Sequence, residues 1–428
     1  MKILLLAQFF PPDYGGEEWH VLNLANALAG RGHHVAVATQ RMSGAPDEEV
    51  LASGVQVYRF STAAMRVPGL YTTSRAHHPP VPDPLGVREL RRIIRQTRPD
   101  VVHAHNWSVN SAVPLRSHSS GSHQFGLVLT LHDHSHVCAT QRFMRNGAPC
   151  EGASLSRCLP CAAHYYRGPV GPLTVLANSA MRQWKDRRID HFISVSTAVA
   201  KGTGVIRLPN SSIVPNFVPD VLLEQRPESE ETKLQVPLPG APFLLFVGDL
   251  CQEKGVLTLL RAYDSMPLDR PPLVLIGKRR PDTPTTLPQG AVMYFDWAHE
   301  HVIEAFRRSL FAVIPPICPD ACPTTVLEAM ACGRPVVATP MGGIVDMVTD
   351  GESGLMVTPG SPDALAAAMS RLVADDELRC RLAAGAHARA RSFAISAVVD
   401  RLEEIYQRVA PSRGDVPALE GEEATELA

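Results

Sequence analysis

The stretch Phe243-Leu244-Leu245-Phe246-Val247-Gly248-Asp249-Leu250-Cys251-Gln252-Glu253-Lys254-Gly255 places a short apolar run before a loop flanked by two glycines, and a helical pattern follows. A continuous apolar run between turn residues is typical of a parallel strand that is buried on both faces. In doubly wound α/β sheets, the loops after the strands form the ligand-binding edge. The stretch therefore predicts an α/β domain with a ligand site beside Gly248.

Apolar runs alternate with helical patterns on both sides of this stretch, through most of the 428 residues. In the first half, strands are predicted at Ile3–Ala7, His34–Thr39, Val55–Phe60, Val101–His105, Leu127–Leu131, His191–Val195 and Ser212–Pro215. In the second half, they are predicted at Phe243–Val247, Leu273–Ile276, Val292–Phe295, Phe311–Ile314, Pro335–Ala338 and Gly354–Val357. The pattern predicts two doubly wound parallel sheets of Rossmann-like domains, with a site in the cleft where their carboxyl edges face each other.

Proline and charge mark the boundaries of the predicted domains. Between residues 218 and 242, prolines and a run of acids replace the periodic pattern, which is a linker composition. The last residues are acidic with few large apolar side chains, which is typical of disorder. The predicted division is a first domain over 1–218 with a cysteine-rich insertion at 134–167, a linker over 219–241, a second domain over 242–392, a helix over 393–410 that crosses back to the first domain, and a disordered tail over 411–428.

The composition is that of a globular protein, with 45% hydrophobic and 20% charged residues. The formal net charge of −2 argues against a nucleic-acid partner, because phosphate neutralisation requires an excess of lysine and arginine. No apolar stretch approaches the roughly 20 residues that a membrane-spanning helix needs, and the apolar start Met1–Ala7 is interpreted as a strand rather than a signal peptide. Nine cysteines, an odd number, favour reduced thiols and a cytoplasmic protein.

The basic stretch from Arg182 to Arg188 has two interpretations. It is either a contact for anionic lipid or an acidic acceptor, which would place the protein at the inner face of the membrane, or a solvated helix face. The sequence carries no signal for the oligomeric state.

The run from Asp320 to Glu328 contains two acids separated by seven residues. With its continuation to Ala338 and the pair Gly342-Gly343, the run resembles the C-terminal signature of the family 4 glycosyltransferases. This family consists of retaining enzymes with two facing Rossmann-like domains, the GT-B fold. The resemblance implies a nucleotide-sugar donor, a UDP- or GDP-sugar, with Glu328 on its ribose and Asp320 near the hydroxyls of the donor sugar.

Thr324 and Thr325 begin a helical pattern directly before Glu328. The free N–H groups at a helix N-terminus suit a diphosphate, so both residues are predicted to bind the donor. The alternative is a capping box, in which Glu328 only closes its own helix behind Thr325. The surrounding signature favours the donor interpretation.

The loop that begins at Gly248 is the second donor motif. Its family counterpart has an arginine after the first glycine and a lysine five positions later, both on the diphosphate. Lys254 matches the lysine, whereas Asp249 stands in place of the arginine and cannot neutralise a phosphate. One alternative is that phosphate binding depends on Lys254 and backbone donors. The other is that a nearby base substitutes: Lys278, Arg279 or Arg280.

Trp297 follows a predicted strand and precedes a helical pattern, where the family holds the nucleotide base. It is therefore assigned to donor binding, and the alternative is that it fills a gap in the core. At the other end of the chain, Gly15 and Gly16 stand between a strand and a helical pattern, where glycine lets a phosphate or sugar approach the backbone. The pair resembles the family's first loop and is assigned to the donor, with a plain tight turn as the alternative.

His105 and His132 end two predicted strands and are expected to line the cleft, while His103 is expected on the other register of its strand. The family motif of threonine, any residue, histidine and aspartate is matched by Thr130 to Asp133. The resemblance implies that His132 contacts the donor sugar. His105 and Asp133 are assigned to the acceptor side.

The resemblance implies a retaining transfer to a hydroxyl of a glycan, a lipid-linked molecule or a small molecule. The leaving phosphate assists removal of the acceptor proton, so that positioning and stabilisation of the diphosphate carry catalysis. Lys254, Asp320 and His132 are the predicted catalytic residues, and no cofactor is required. The alternatives are a sugar-nucleotide epimerase of the same fold and an inactive nucleotide-sugar-binding protein.

Four cysteines, Cys138, Cys150, Cys158 and Cys161, lie within 24 residues. The final pair has the C-x2-C spacing that structural zinc sites favour. Structural zinc, reduced thiols and disulfides are all compatible with this pattern. None of the three implies a metal in catalysis.

Overall fold

The computed structural model describes residues 1–12, 15–66, 78–116, 123–166, 168–224 and 237–411. Three predicted features fall at least partly outside these residues: the linker between 225 and 236, position 167 of the insertion, and the tail from 412 to 428.

The strands are β1 (Lys2–Leu6), β2 (His34–Gln40), β3 (Glu48–Val50), β4 (Gln56–Phe60), β5 (Val101–His105), β6 (Gly126–Leu131), β7 (Met144–Arg145), β8 (Ala148–Pro149), β9 (His191–Ser194), β10 (Ser211–Ile213), β11 (Leu244–Val247), β12 (Leu273–Gly277), β13 (Ala291–Phe295), β14 (Phe311–Ile314), β15 (Val336–Ala338) and β16 (Gly354–Met356). The α-helices are α1 (Gly16–Gly30), α2 (Pro84–Thr97), α3 (Val109–Ala112), α4 (Leu155–Tyr166), α5 (Val170–Arg188), α6 (Thr197–Thr203), α7 (Val256–Asp264), α8 (His299–Arg308), α9 (Thr324–Ala331), α10 (Ile344–Met347), α11 (Pro362–Ala374), α12 (Asp376–Ala390) and α13 (Ile395–Val409).

Two large sheets organise these elements. The first has eight strands in the order β10-β9-β6-β5-β1-β2-β4-β3, and the second has six in the order β13-β12-β11-β14-β15-β16. Every pairing in both sheets is parallel except that of β3 with β4. The strand order reverses next to β1 and next to β11, and ligands bind at such reversal points in open α/β sheets. The predicted α/β fold class with two parallel sheets is confirmed.

Strands buried on both faces were predictable because most of their residues are apolar, although β5 also buries two histidines. All five residues of β5 are buried, and all six residues of β6 are buried. The three-residue strand β3 has the opposite character, since Glu48 and Val50 are exposed at the sheet edge. Sequence reasoning missed β3, because a short antiparallel edge strand needs no apolar run.

The last helix, α13, packs on the first sheet rather than the second. Its buried side chains Val399, Leu402 and Tyr406 belong to the same apolar cluster as β1 and α1. The Tyr406 hydroxyl lies 2.7 Å from Nδ1 of His103 on β5. The chain re-enters the first unit next to the point where it leaves it, because Val218 and Ala394 form a parallel β-bridge.

None of the helices among the described residues has the length and apolar character of a membrane-spanning segment.

Replacing Gly126 with alanine should destabilise the protein, because a Cβ there would lie 2.4 Å from the carbonyl oxygen of Val409 in α13. Overpacking of this kind costs about 1–3 kcal/mol. Gly30→Ala is the matched control, since a Cβ at Gly30 meets nothing within 4 Å. Thermal unfolding measures both variants. A Gly126→Ala protein as stable as the control would contradict the seating of α13 on β6.

Candidate active site

The loop after β11 carries Lys254 to the carboxyl edge of the second sheet. Its ammonium group pairs with Oδ2 of Asp320, which lies on the loop after β14. Burial acts to lower the pKa of Lys254, but the charge of Asp320 outweighs it, so this pKa lies above its ordinary value. Lys254 is therefore a cation at neutral pH, and the structure brings it together with Asp320.

The glycine pair after β15 holds the backbone of Asp320 in place. The N–H of Gly343 donates to the carbonyl oxygen of Asp320 over 2.7 Å. At Gly342 the φ angle is +62°, and a Cβ would lie 1.9 Å from the same oxygen. Only glycine permits this approach, so the pair and Asp320 belong to one local structure.

Asp249 stands where the family has an arginine, and an arginine from the segment after β12 lies against it. Nη2 of Arg280 donates to Oδ2 of Asp249 over 2.6 Å. The backbone N–H of Arg280 donates to the hydroxyl of Thr283, which in turn donates to a carbonyl oxygen of the loop that carries Asp249. The guanidinium of Arg279 instead lies 4.3 Å above the centre of an aromatic ring. The backbone of Arg279 is bridged to Leu250 of the loop, but of these two arginines Arg280 is the one whose guanidinium bonds to Asp249.

Glu328 lies in the second turn of α9, and its carboxylate faces α8. Its Oε1 atom lies 3.0 Å from Nε2 of His299. Burial acts to lower the pKa of His299, and the bond to Glu328 raises it more, so the net shift is upward. The helix begins at Thr324 behind Pro323, whose side chain makes no cap. Thr325 is thus inside the helix, and the capping-box interpretation is wrong.

Trp297 lies between β13 and α8, where it is half-buried against the core. Its ring centre is 4.7 Å from that of Tyr294 and 6.2 Å from that of His301. Trp297 therefore packs with neighbouring rings of its own segment, and its assignment to donor binding stays a prediction.

Gly15 and Gly16 begin α1, with Gly15 as the N-cap in an extended conformation. A Cβ at Gly15 would lie 2.5 Å from a carboxylate oxygen of Glu18, so a side chain would force this acid to move. Sequence reasoning missed the next residue, Glu17. Nδ2 of Asn106 donates to its Oε2 over 2.7 Å, and its Oε1 is buried without a partner among the described residues.

Burial, together with the charges of Glu18 and Asp133, raises the pKa of Glu17 from 4.5 to about 8, against the opposing effect of Asn106. Burial also raises the pKa of Asp133, whose Oδ1 accepts the N–H of Ser135 over 2.7 Å. The first-sheet side of the cleft thus carries two acids, Glu17 and Asp133, whose ionisation is made unfavourable by burial.

Four histidines form a connected group at the ends of β5 and β6 and on α1. Nδ1 of His105 lies 2.8 Å from Nε2 of His132, and the His20 ring meets that of His132 edge-on at 4.8 Å. The expectation for His103 is wrong: its ring lies 4.5 Å from that of His105, because residues two apart on a strand share a face. Both ring nitrogens of His103 have partners, the hydroxyl of Thr130 and the hydroxyl of Tyr406 in the last helix.

Burial makes these histidines neutral at physiological pH. It lowers the pKa of His132 to about 4 and that of His103 to about 3, and the pKa values of His20 and His105 fall well below the ordinary value. The neighbouring imidazoles add to the effect on the latter three. His132 is thus a neutral hydrogen-bonding group.

The two halves of the predicted site meet through consecutive residues of α1. The Trp19 ring lies 4.9 Å from that of His299, the partner of Glu328. His20, the next residue, packs against His132. Because α1 starts at the glycine pair, its first two turns lie between the predicted donor residues of the second sheet and the histidines of the first.

The basic stretch on α5 is not uniformly solvated. Lys185 is 1% exposed, and burial lowers its pKa to about 8 despite the nearby charges of Asp186 and Asp133. The solvated-face interpretation therefore fails for Lys185, which packs inward behind Asp133. In the sequence, Lys185 stands among other charged residues, and this pattern does not indicate that its side chain points inward.

The four predicted zinc ligands lie near one another, since Cys138 and Cys150 add to the effect of burial in raising the pKa values of Cys158 and Cys161. All nine cysteines of the chain are among the described residues, and none is bridged. Zinc at about 2.3 Å from four thiolates requires sulfur atoms that converge. Within the described ranges, three potential ligand atoms come within 4.8 Å of one another only in the group of His20, His105 and His132. Structural zinc at the four cysteines stays a prediction.

A family model described as Glycosyltransferase Family 4 matches residues 14–220, and one described as Glycosyl transferases group 1 matches residues 241–375. The two matches cover every strand of the second sheet and every strand of the first except β1, together with the loops that carry the candidate site. The chain belongs to the family 4 glycosyltransferases.

Solved structures share the fold of this family 4 glycosyltransferase. Sucrose-phosphate synthase from Thermosynechococcus elongatus superposes with a TM-score of 0.72 at 20% identity, over 95% of this chain and 99% of its own. The Anabaena protein Alr3699/HepE in complex with UDP-glucose superposes with a TM-score of 0.67 at 18% identity, over 95% and 100% of the two chains. These likenesses confirm the GT-B fold.

A D-inositol 3-phosphate glycosyltransferase of Thermomonospora curvata is 32% identical to this family 4 glycosyltransferase over 196 residues. The match covers 42% of this chain and 46% of the relative, so the chain spans less than half the length of this relative.

Glu17→Gln should flatten the pH dependence of stability. Unfolded glutamate titrates near its ordinary pKa of 4.5, whereas burial raises the pKa of Glu17 in the folded protein to about 8. Between these two pKa values the folded state binds more protons than the unfolded state. The contribution of Glu17 to the free energy of unfolding is therefore fully present below the unfolded pKa, and it is lost as the pH rises through about 8. The melting temperature of Glu17→Gln should therefore gain on that of the wild type from about pH 5 to about pH 9.

The matched control is Glu404→Gln, at an exposed position of α13. Its melting temperature should keep a constant offset from the wild type across the same pH range. A constant offset for Glu17→Gln as well would contradict the burial of a protonated Glu17.

Proposed function

We propose that this protein transfers a sugar from a nucleotide-sugar donor to a hydroxyl acceptor with retention of configuration at the anomeric carbon. The meeting of two half-sites at α1 carries the proposal. Trp19 contacts His299, which holds Glu328. His20 packs against His132 on the opposite sheet. A donor bound to the second sheet would therefore present its sugar to the first.

The donor half of the cleft suits a nucleoside diphosphate. The first N–H groups of α9, at Thr324 and Thr325, have no acceptor within the helix, and the helix dipole favours an anion there. Lys254 adds a full charge. His299 engages one carboxylate oxygen of Glu328, and ribose hydroxyls would donate to this carboxylate. A UDP-sugar is the first donor to test, since the Anabaena protein of the same fold holds UDP-glucose.

Arg280 supplies the second positive charge that the family places at position 249. Its guanidinium is bonded to Asp249 and is about half exposed, so a phosphate in the cleft could approach it. An arginine presents five donors in a planar fork, enough for a carboxylate and a phosphate together. Asp249 then orients this arginine instead of repelling the donor.

The reaction breaks the bond between the anomeric carbon and the diphosphate oxygen. The acceptor oxygen bonds to that carbon on the same face, and its proton passes to an oxygen of the leaving phosphate. Lys254, Arg280 and the start of α9 stabilise the charge that develops on the leaving group. His132, neutral at physiological pH, hydrogen-bonds the donor sugar, and Asp320 aligns the sugar through its hydroxyls.

Purified protein incubated with UDP-, GDP-, TDP- and ADP-sugars should release free nucleoside diphosphate slowly from its own donor, because water replaces the absent acceptor. Lys254→Ala should lower this rate at least a hundredfold, since it removes a charge on the leaving group. Lys201→Ala, at an exposed position of α6, is the matched control. Chromatography of the products measures the rate. An epimerised donor would identify an epimerase, and stabilisation by a nucleotide without turnover would identify a binding protein.

Arg280→Ala should weaken donor binding roughly tenfold or more, the effect of losing a charged hydrogen bond. Adding Asp249→Arg to this variant should recover most of the loss, because it restores an arginine at the family's position. Arg279→Ala is the control, since that guanidinium lies over the Phe295 ring. Calorimetric titration with the nucleoside diphosphate measures all four proteins. Unchanged affinity in Arg280→Ala would exclude this arginine from the phosphate site.

A further inference from the structure

A cavity of about 400 Å³ lies between the cysteine-rich insertion and the loop that carries Lys254. We call it the insertion cavity. Its charged and aromatic lining comes from Arg142, Arg145, His164, Tyr165 and Glu253. Four of these residues belong to the insertion and one to the second sheet, so the cavity spans both halves of the molecule.

A tight hairpin presents Arg145 at this cavity. Strands β7 and β8 pair antiparallel across Asn146 and Gly147, whose φ angles are +51° and +77°. Two positive φ angles define the turn that joins hairpin strands most favourably, and Asn-Gly is its preferred sequence. The N–H of Cys150 closes the base of the hairpin on the carbonyl of Phe143 over 2.8 Å. Arg145 thus projects from a defined backbone.

The charges of the insertion cavity leave one guanidinium unneutralised. Arg142 donates to Glu253 over 3.1 Å, and its guanidinium lies 5.2 Å from the centre of the Tyr165 ring. Glu253 is the cavity's only acid in the part of the chain that the structure describes. Arg145 is exposed, and no described carboxylate pairs with it. A small anion that enters the cavity can therefore pair with Arg145.

The wall of the insertion cavity is continuous with the phosphate loop. Glu253 directly precedes Lys254, and its carbonyl oxygen accepts the N–H of Ile317, on the segment that leads to Asp320. A molecule held in the insertion cavity would therefore lie against the loop that carries Lys254, on the side from which an acceptor could reach the proposed leaving group.

We propose that the insertion cavity binds the acceptor, and that this acceptor carries an anionic group, a phosphate monoester or a carboxylate, which Arg145 recognises. Tyr165 offers a ring face for the apolar side of a sugar. The inference rests on the proposed transferase function in one respect, that the bound molecule is called an acceptor. Anion binding at Arg145 is testable without turnover.

Calorimetric titration in the presence of UDP compares three soluble probes at constant ionic strength: glucose 6-phosphate, glucuronate and glucose. At least one anionic probe should bind about tenfold or more tightly than glucose, and Arg145→Ala should remove this difference. Arg145→Lys should keep part of it, because it retains the charge without the fork. Arg157→Ala is the control within the insertion, since Arg157 pairs with Glu151. Melting temperatures verify that each variant is folded.

A second arm separates the two sources of such an anion. Vesicles of phosphatidylcholine, with and without phosphatidic acid as the lipid phosphate monoester, are sedimented with the wild type and with Arg145→Ala. Retention only on vesicles that contain phosphatidic acid, which Arg145→Ala abolishes, would assign a lipid headgroup, and binding of a soluble probe alone would assign a free sugar phosphate or sugar acid. Equal affinity for charged and neutral probes without selective vesicle binding, or an anion preference that survives Arg145→Ala, would overturn the proposal. Absence of donor turnover with anion binding intact would instead count against the transferase function.

Discussion

The double crossing between the two sheets is the constraint on which the cleft depends. The chain leaves the first sheet at Val218 and returns at Ala394, and these residues are bridged to each other. Helix α13 then packs on the first sheet, where Tyr406 meets His103. Two adjacent crossings restrict the ways in which the sheets can move relative to each other, so their carboxyl edges stay opposed. Every contact that unites the half-sites follows from this arrangement.

Burial of the histidine group shapes the chemistry open to the first sheet. An imidazolium at His132 would repel the cations that a leaving diphosphate needs nearby. Because desolvation keeps His132 and His105 neutral, the positive charge of the site is concentrated on the opposite sheet. The cleft thus presents neutral imidazoles on one side and the Lys254 cation on the other, an asymmetry that suits the proposed donor, a neutral sugar on an anionic leaving group.

The architecture could be predicted because parallel strands bury both faces and therefore consist of apolar residues. The same logic found the strand ends that carry His105 and His132, since ligands meet open sheets there. The same reasoning did not predict exposed strands or side chains that are paired only in the folded protein. Strand β3 is exposed, and no pattern in the sequence signals it.

Pairs that meet only through the fold could not be assigned from the sequence. The sequence offered three bases near Asp249 without a choice among them, and the bond to Arg280 joins residues 31 positions apart that the side-by-side placement of β11 and β12 brings together. His299 and Glu328 likewise come from different helices. Glu17 gave a different difficulty, because its acidic side chain at a helix start is ordinary in sequence, and its unusual pKa arises from surroundings that the fold assembles.

Lys254 is already paired with an anion before any donor arrives, because Asp320 is tethered beside it by the chain itself. An anion attached to the same molecule has a high effective concentration. In the proposed reaction, an incoming diphosphate would have to share or exchange this counter-ion, so its net affinity would be the difference between two ion pairs. When the proposed product leaves, the tethered carboxylate would recapture the ammonium. Under the proposed function, this internal ion exchange would limit how tightly the protein retains its own product and would favour repeated cycles.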